Sequence, residues 1–494
     1  MATDNNLHFV LFPLMAQGHM IPMVDMARIL AHRGATVSIA TTPLLANRVR
    51  GIVTRAKLKI QLLELPLPLD KVGLPQGFES LESVPPTDIK VKLFEAMDLL
   101  QQPIEQLFRG LCPPPSCIIS DSPFTWTQDV ARKFNIPRLV FYGPGCFWLV
   151  CKHLVSATNI LEQIESDSER FVIPGLPDRI EVTKLQFLGT SKTISAKEKL
   201  FRDRFQKAER DAYGIVVNSF NELEPEYAQE LARLKHKKVW CIGPVSLCNK
   251  DNKDLADRGN RAAVNESDCL KWLDAKEPGS VIYVGLGSLA HVSSQQGIEL
   301  GLGLEATNRP FVWCIRKKTE ELEKWFSEEG FEERVKDRGL IVHGWAPQVL
   351  ILSHRAVGGF LTHCGWNSTL ESVCAGVPMV TWPHFADQFL NEAFIVDIHK
   401  IGVGIGVEIP DEDSIEALVK KVDVKEAVER LMNEDEDEAK QRRKRVTELG
   451  QMAKRAMAEG GSSCVNVTSL IQDINCLSRI NKQTCQNEHQ SHIS

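Results

Sequence analysis

Much of what this 494-residue chain could be is excluded by what it does not contain. It has no uninterrupted apolar run of about eighteen residues, the length a helix needs to cross a bilayer, so no membrane span is expected. The opening residues, MATDNNLHFVLFPLM, carry no basic segment ahead of their short apolar run. They read as a first strand and not as a secretory leader. Positive charge is not in surplus: the formal net charge is −6, so nucleic acid is not an expected partner. The 13 cysteines are odd in number and scattered, without a CxxC pair. That argues against a disulfide framework or a zinc site and for reduced thiols in the cytoplasm. No GxGxxG follows either of the strands that open the two halves of the chain, which speaks against a nicotinamide dehydrogenase.

What is present is the composition of a globular protein, with 43% hydrophobic and 25% charged residues, at a length that suggests two or more domains. Residues 7–14 form an apolar, β-compatible run, and residues 15–20 read as a turn. A helix is expected from Ile21-Pro22, with proline near its first position. Met23, Met26, Ala27, Ile29 and Leu30 have helical spacing, Gly34 stops the helix, and residues 35–40 form the next strand. This βαβ unit predicts a parallel, doubly wound sheet whose ligands sit at the carboxyl ends of its strands. Further strands are expected at 117–121, 136–142, 214–219 and 239–245. Residues 248–266 are polar and without periodicity and read as an interdomain linker. The pattern then restarts with strands at 280–284 and 311–315, and a further strand is expected at 402–407. The expected organisation is therefore α/β, with two facing domains at 1–247 and 267–461. A semi-apolar segment at 462–478 docks on them, and residues 479–494 are expected to be disordered. The acidic run at 434–438 and the basic run at 442–445 read as a solvated helix face.

The densest chemistry lies at residues 345–388. An apolar run, VGGFL, leads into Thr-His-Cys-Gly-Trp-Asn-Ser (362–368), and a helical pattern follows up to Gly376: strand, turn, helix start. A helix start presents unpaired N–H groups and the positive end of the dipole. His363, Asn367 and Ser368 add side-chain donors, which makes a phosphate cradle without a lysine. Glu371, one turn in, is better suited to hydroxyls such as a ribose diol. Trp345 offers a flat face to a base, and Asp387 with Gln388 can read sugar hydroxyls. The plain alternative is a buried turn with incidental polar residues. In the first half, His19 and Asp121 follow strands of one parallel sheet and can reach one cleft. His19 alone also fits a structural role, and Asp121 also fits a cap for a helix at 125–134. As a pair they fit a general base and the carboxylate that orients it.

The stretch from Trp345 to Gln388, with WAPQ, HCGWNS, Glu371, GVP and the final Asp-Gln in register, resembles the signature box of the plant secondary-product UDP-glycosyltransferases. The likeness runs from the first strand to about residue 477. It implies the GT-B architecture, two facing Rossmann-like domains with the last helix crossing back to the first. The N-terminal half would hold the acceptor and the C-terminal half the sugar donor. It implies His19 as base and Asp121 as its partner. Trp345 would stack on uracil with the Ala346 backbone beside it, and Gln348 and Glu371 would hold the ribose. Ser288, His363, Asn367 and Ser368 would hold the diphosphate, and Trp366, Asp387 and Gln388 the sugar. The final glutamine accompanies glucose in this family. The reaction expected is a metal-independent, inverting transfer from UDP-glucose, a co-substrate, with no cofactor. The FYGPGCF, VIPGLPD and GWAPQ runs are similar to the branch acting on triterpenoid sapogenins, steroids and flavonoids. The favoured acceptor is a bulky apolar hydroxylated molecule, triterpenoid or steroid first, flavonoid second. The pattern departs from the family at Gly285, where a side chain is lost, and near Gly143, where relatives carry Thr or Ser. Another UDP-sugar, or a non-catalytic terpenoid- or hormone-binding protein, are the competing readings. A cytoplasmic monomer is expected.

Overall fold

The structure, a computed structural model, describes residues 7–84, 89–189, 196–260, 262–289, 292–316, 319–410, 418–433 and 435–491. Two parallel sheets dominate it. The first contains β1 (His8–Phe12), β2 (Thr36–Thr41), β3 (Ile60–Glu64), β4 (Cys117–Asp121) and β5 (Arg138–Tyr142). A small antiparallel hairpin, β6 (Arg170–Val172) with β7 (Glu181–Thr183), stands apart. The sheet is completed by β8 (Gly214–Val217) and β9 (Lys238–Cys241), in the order β3-β2-β1-β4-β5-β8-β9. The second contains β10 (Val281–Gly285), β11 (Phe311–Ile315), β12 (Gly339–His343), β13 (Val357–Thr362), β14 (Met379–Thr381) and β15 (Gly402–Gly404). Its order is β12-β11-β10-β13-β14-β15.

The sequence dictates this because most of the central strands are unbroken apolar runs: all five residues of β1, β4 and β10 are buried, as a parallel sheet covered on both faces requires. In each sheet the order reverses beside its first strand, between β1 and β4 and between β10 and β13. Crevices open at these switch points, at the carboxyl ends of the strands. The two crevices face each other, which is the GT-B arrangement.

Three local expectations are corrected. The first helix spans Gln17–His32 and carries Pro22 inside it, so His19 lies in its first turn and not in a loop. The segment at 248–266 is not a solvated spacer. It contains a helix, Asn252–Ala256, and buries Asn249, Asp254 and Arg258. Buried charges that are paired look in sequence like solvated ones. Finally, the last helix runs from Ser462 to Ser491, through most of the expected disordered tail, with no glycine or proline to end it.

That helix inserts Val467, Leu470, Ile471 and Ile474 into the apolar core of the first sheet, alongside Trp240 and Ile242. The chain thus returns from the second domain to the first. A second apolar core crosses between the domains: Phe147 stacks on Phe394 with ring centroids 5.3 Å apart, and Trp366 packs on Phe394 at 5.7 Å. Ile474 is fully buried and Val465, on the same helix, is 53% exposed. Ile474→Ala is expected to cost about 2–5 kcal/mol in denaturant unfolding, and Val465→Ala less than about 0.5 kcal/mol.

Candidate active site

His19 and Asp121 meet at the switch point of the first sheet. Nδ1 of His19 lies 2.9 Å from Oδ1 of Asp121. The other carboxylate oxygen accepts the Leu14 backbone N–H at 2.6 Å. Both oxygens are therefore committed, and Asp121 does not cap the helix that follows, Thr127–Lys133. Asp121 is 1% exposed, whereas the imidazole side chain is 29% exposed and opens on the cleft. Burial works to depress the His19 pKa, but the charge and hydrogen bond of Asp121, with Asp387 and Glu82 behind them, carry it net above 6.5. Gly143 leaves the imidazole clear: a Cβ there would stand 3.2 Å from its Cε1.

Pro22 explains how the second domain reaches this point. Having no N–H, it leaves the Gly18 carbonyl without its partner four residues on. Nδ2 of Asn367 donates to that carbonyl at 2.6 Å, across the cleft. The Asn367 side chain also accepts from Asn218 at 3.4 Å, and the Asn218 carbonyl accepts the Trp366 indole N–H at 2.8 Å.

Asn367 sits in the first turn of the helix Trp366–Ala375, whose N-cap Gly365 supplies no side-chain cap. Its leading N–H groups are thus left for a ligand, the feature of an anion site. Around it, Ser288, Trp345, Ala346, Gln348, His363, Trp366, Asn367, Ser368, Glu371, Asp387 and Gln388 all line one cavity of about 430 Å³, together with His19. Asp121 stands behind the imidazole. Gln348 donates to Ser368 at 3.0 Å and to Glu371 at 2.7 Å, so the residues assigned to ribose form one unit. Burial, then His384 and Arg316, push His363 down to about 3, so its ring is neutral.

Two assignments need qualification. The Trp366 side chain is 4% exposed, and a Cβ on Gly145 would stand 2.6 Å from its ring. With its N–H given to Asn218, the indole is an interdomain anchor more than a sugar ligand. The Gln388 side-chain oxygen accepts the His384 and Phe385 N–H groups at 2.8 and 3.2 Å, so it is its amide NH₂ that could serve a ligand. Asp387 is held by Asn391 at 2.8 Å, and burial raises its pKa. The loop carrying it is fixed by Gly189, at φ 64°, where a Cβ would fall 2.1 Å from the Ala386 carbonyl oxygen. The sequence also holds two short acidic stretches that a metal could use, Asp411-Glu412-Asp413 and the triplet Asp167-Ser168-Glu169, and the first lies outside the described residues. Asp167 pairs with Lys184 at 3.6 Å, and its triplet does not line the cleft.

Sequence reasoning missed Asn218, Arg258 and Arg316. Arg316 places its guanidinium 3.9 Å from the Trp345 ring centroid and follows β11 directly. Its position at a strand's carboxyl end was a usable signal. Nothing in the polar run around Arg258 marked it.

These features define a two-domain α/β protein whose cleft sets an uncapped helix start opposite a histidine paired with a buried carboxylate. Residues 5–247 match the family model "Glycosyltransferase, N-terminal domain", and residues 260–443 match "UDP-glucoronosyl and UDP-glucosyl transferase". The chain is 64% identical to UDP-glycosyltransferase 73E1 of Stevia rebaudiana over 483 residues, 96% of this chain and 97% of that protein. It is 50% identical to UDP-glycosyltransferase 73C11 of Barbarea vulgaris over 485 residues, 96% and 98% of the two chains. Its fold is similar to that of Glycyrrhiza uralensis UGT73P12 complexed with glycyrrhetinic acid 3-O-monoglucuronide, with a TM-score of 0.89, 34% identity, and 99% and 100% of the chains covered. It is also similar to Phytolacca americana UGT2 complexed with UDP-2fluoro-glucose and pterostilbene, with a TM-score of 0.76, 28% identity, and 95% and 100% covered. The chain belongs to the plant UDP-glycosyltransferases of family 73, enzymes that transfer a sugar from a UDP-sugar to an acceptor.

A base must be neutral to take a proton. The kcat/KM profile is therefore expected to fall as pH drops through an apparent pKa above the ordinary 6.5 of histidine. Asp121→Asn removes the charge that raises it and leaves the burial that lowers it. The acid limb should move to lower pH, and the rate should fall about 100- to 10,000-fold.

Proposed function

We propose that the protein transfers glucose from UDP-glucose, with inversion, to a hydroxyl of a bulky apolar acceptor, giving a β-O-glucoside. The observation that carries this reading is the 2.6 Å bond from Asn367 to the Gly18 carbonyl. It sets the free end of a helix beside the residue preceding His19, within the span of one sugar on its diphosphate.

In this reading His19 takes the acceptor proton as the hydroxyl attacks the anomeric carbon, while Asp121 holds the tautomer and stabilises the imidazolium. One in-line displacement inverts the α-linked donor, and no enzyme nucleophile is required. The charge that develops on UDP is met by the uncapped N–H groups of the helix Trp366–Ala375, with Ser288, Asn367 and Ser368. Neutral His363 contributes as a hydrogen-bonding group without charge. Trp345, Ala346, Gln348 and Glu371 take the nucleoside, and Asp387 and Gln388 take the sugar. No metal has a part in this scheme.

Leu81, Pro144, Trp148, Leu289 and Phe385 give the cleft around His19 an apolar lining. This supports a triterpenoid or steroid acceptor, as does the similarity to the Glycyrrhiza enzyme solved with glycyrrhetinic acid 3-O-monoglucuronide. The similarity to the Phytolacca enzyme solved with UDP-2fluoro-glucose and pterostilbene supports the glucose donor, and it favours a smaller phenol such as a flavonoid as the second reading.

A screen of UDP-sugars against sapogenins, sterols and flavonols, read by mass spectrometry, is expected to give glucosides of the polycyclic alcohols first. The anomeric coupling constant should report the β configuration. His19→Ala should reduce transfer at least about 100-fold while UDP still binds; wild-type turnover in that variant would refute the base assignment. Transfer should also persist in EDTA. A rate that required added Mg²⁺ or Mn²⁺ would show that the helix end does not suffice for the diphosphate.

A further inference from the structure

The segment that joins the domains is built into the donor site. Arg258 is buried between a carboxylate of each domain. Its Nε donates to Oδ2 of Asp25 on the first helix at 2.8 Å, and its Nη1 donates to Oε1 of Glu371. Asp25 is held in turn by Asn249 at 2.9 Å. The neighbouring residues lie under the base-binding tryptophan. Gly259, at φ 99°, approaches so closely that a Cβ would stand 2.3 Å from Cζ2 of Trp345. The Ala263 N–H donates to the Trp345 carbonyl at 2.8 Å. Asn260 accepts from Gln17, at the start of the first helix, at 2.9 Å.

We propose that Arg258 is a positioning residue for donor recognition: it fixes the Glu371 carboxylate in the plane and rotamer in which, with Gln348, it reads both hydroxyls of the donor's ribose. This rests on the assignment of Glu371 to ribose above. The physical argument is one of orientation. A carboxylate on a helix can turn about its last two torsions, and recognition of a diol requires one orientation. Arg258 takes one oxygen and is itself immobilised by Asp25. That leaves Oε2, now shared with Gln348, as the edge turned to the ligand. A guanidinium is suited to this because its planar fork serves two carboxylates at once, which an ammonium does not do with the same geometry. The same bridge ties ribose recognition to the helix that carries His19.

The test compares UDP-glucose with 2′-deoxy-UDP-glucose on the full-length enzyme. The wild type should prefer the ribose donor at least about tenfold in kcat/KM. Glu371→Gln, which tests the ribose assignment itself, should erase most of that preference. Arg258→Met should erase it too, raising KM for UDP-glucose roughly tenfold with kcat nearly unchanged, and Arg258→Lys should recover part of it. A merely structural arginine would lower stability and activity toward both donors alike. If Arg258→Met does not fold, Asp25→Asn, which loosens the arginine without removing it, should reduce the preference in the same sense. Loss of the preference in Glu371→Gln with full retention in the Arg258 and Asp25 variants overturns the inference and leaves the ribose assignment standing. Retention in Glu371→Gln overturns both.

Discussion

The contact between Asn367 and the Gly18 carbonyl brings the positive end of one helix to the first turn of another. The proposed transfer requires these two points to be neighbours, with the diphosphate at the first and the attacking hydroxyl at the second. A single such bond contributes only about 0.5–1.5 kcal/mol and cannot hold two domains together. The apolar contact across the interface does that, through Phe147, Phe394 and Trp366. The polar bonds set its register: an apolar surface tolerates small slides, whereas the Asn218, Trp366 and Asn367 bonds are met in one alignment only. Pro22 matters because it has no N–H to give the Gly18 carbonyl four residues before it, and Asn367 donates there instead.

The cleft separates its histidines by their surroundings. His19 faces Asp121, with Asp387 and Glu82 in range, and its pKa rises. His363 lies buried near His384 and Arg316 and is pushed down to about 3, and burial holds His384 near 4. Groups of one type whose environments drive their pKa values apart are suited to different tasks. His19 can exchange a proton in the physiological range. Burial keeps the other two from gaining a proton in that range.

The parallel strands were legible because they are short, apolar and spaced by helical stretches; β11 coincides with the expected residues 311–315. Most of the residues proposed for the donor could be picked out together because they fall in one contiguous stretch, 345–388, and the structure gathers them around one cavity. What failed has a common cause. Pro22 read as a helix start because prolines favour first positions, yet here the helix tolerates it in its second turn, the freed carbonyl being satisfied from 349 residues away. The 248–266 segment reads only as a polar linker, because the partners that bury Asp254 and Arg258, namely Arg28, Asp25 and Glu371, lie far off in sequence. Periodicity reports which residues are apolar. It carries no information about a charge that is buried because another charge waits for it.

Asn367 serves both the interface and the ligand, and its valence shows that the two uses are compatible. A side-chain amide has two N–H donors and one acceptor oxygen. One donor goes to Gly18, and the oxygen accepts from Asn218, both in the first domain. The second donor and the backbone N–H groups at the head of its helix remain for the diphosphate. Donor binding therefore need not break the bonds that align the domains. In the proposed reaction the acceptor hydroxyl meets the anomeric carbon beside an imidazole that the Asp121 contact orients. The bonds that align the domains use none of the N–H groups proposed for the diphosphate, so alignment and donor binding do not compete, and proximity can lower the barrier.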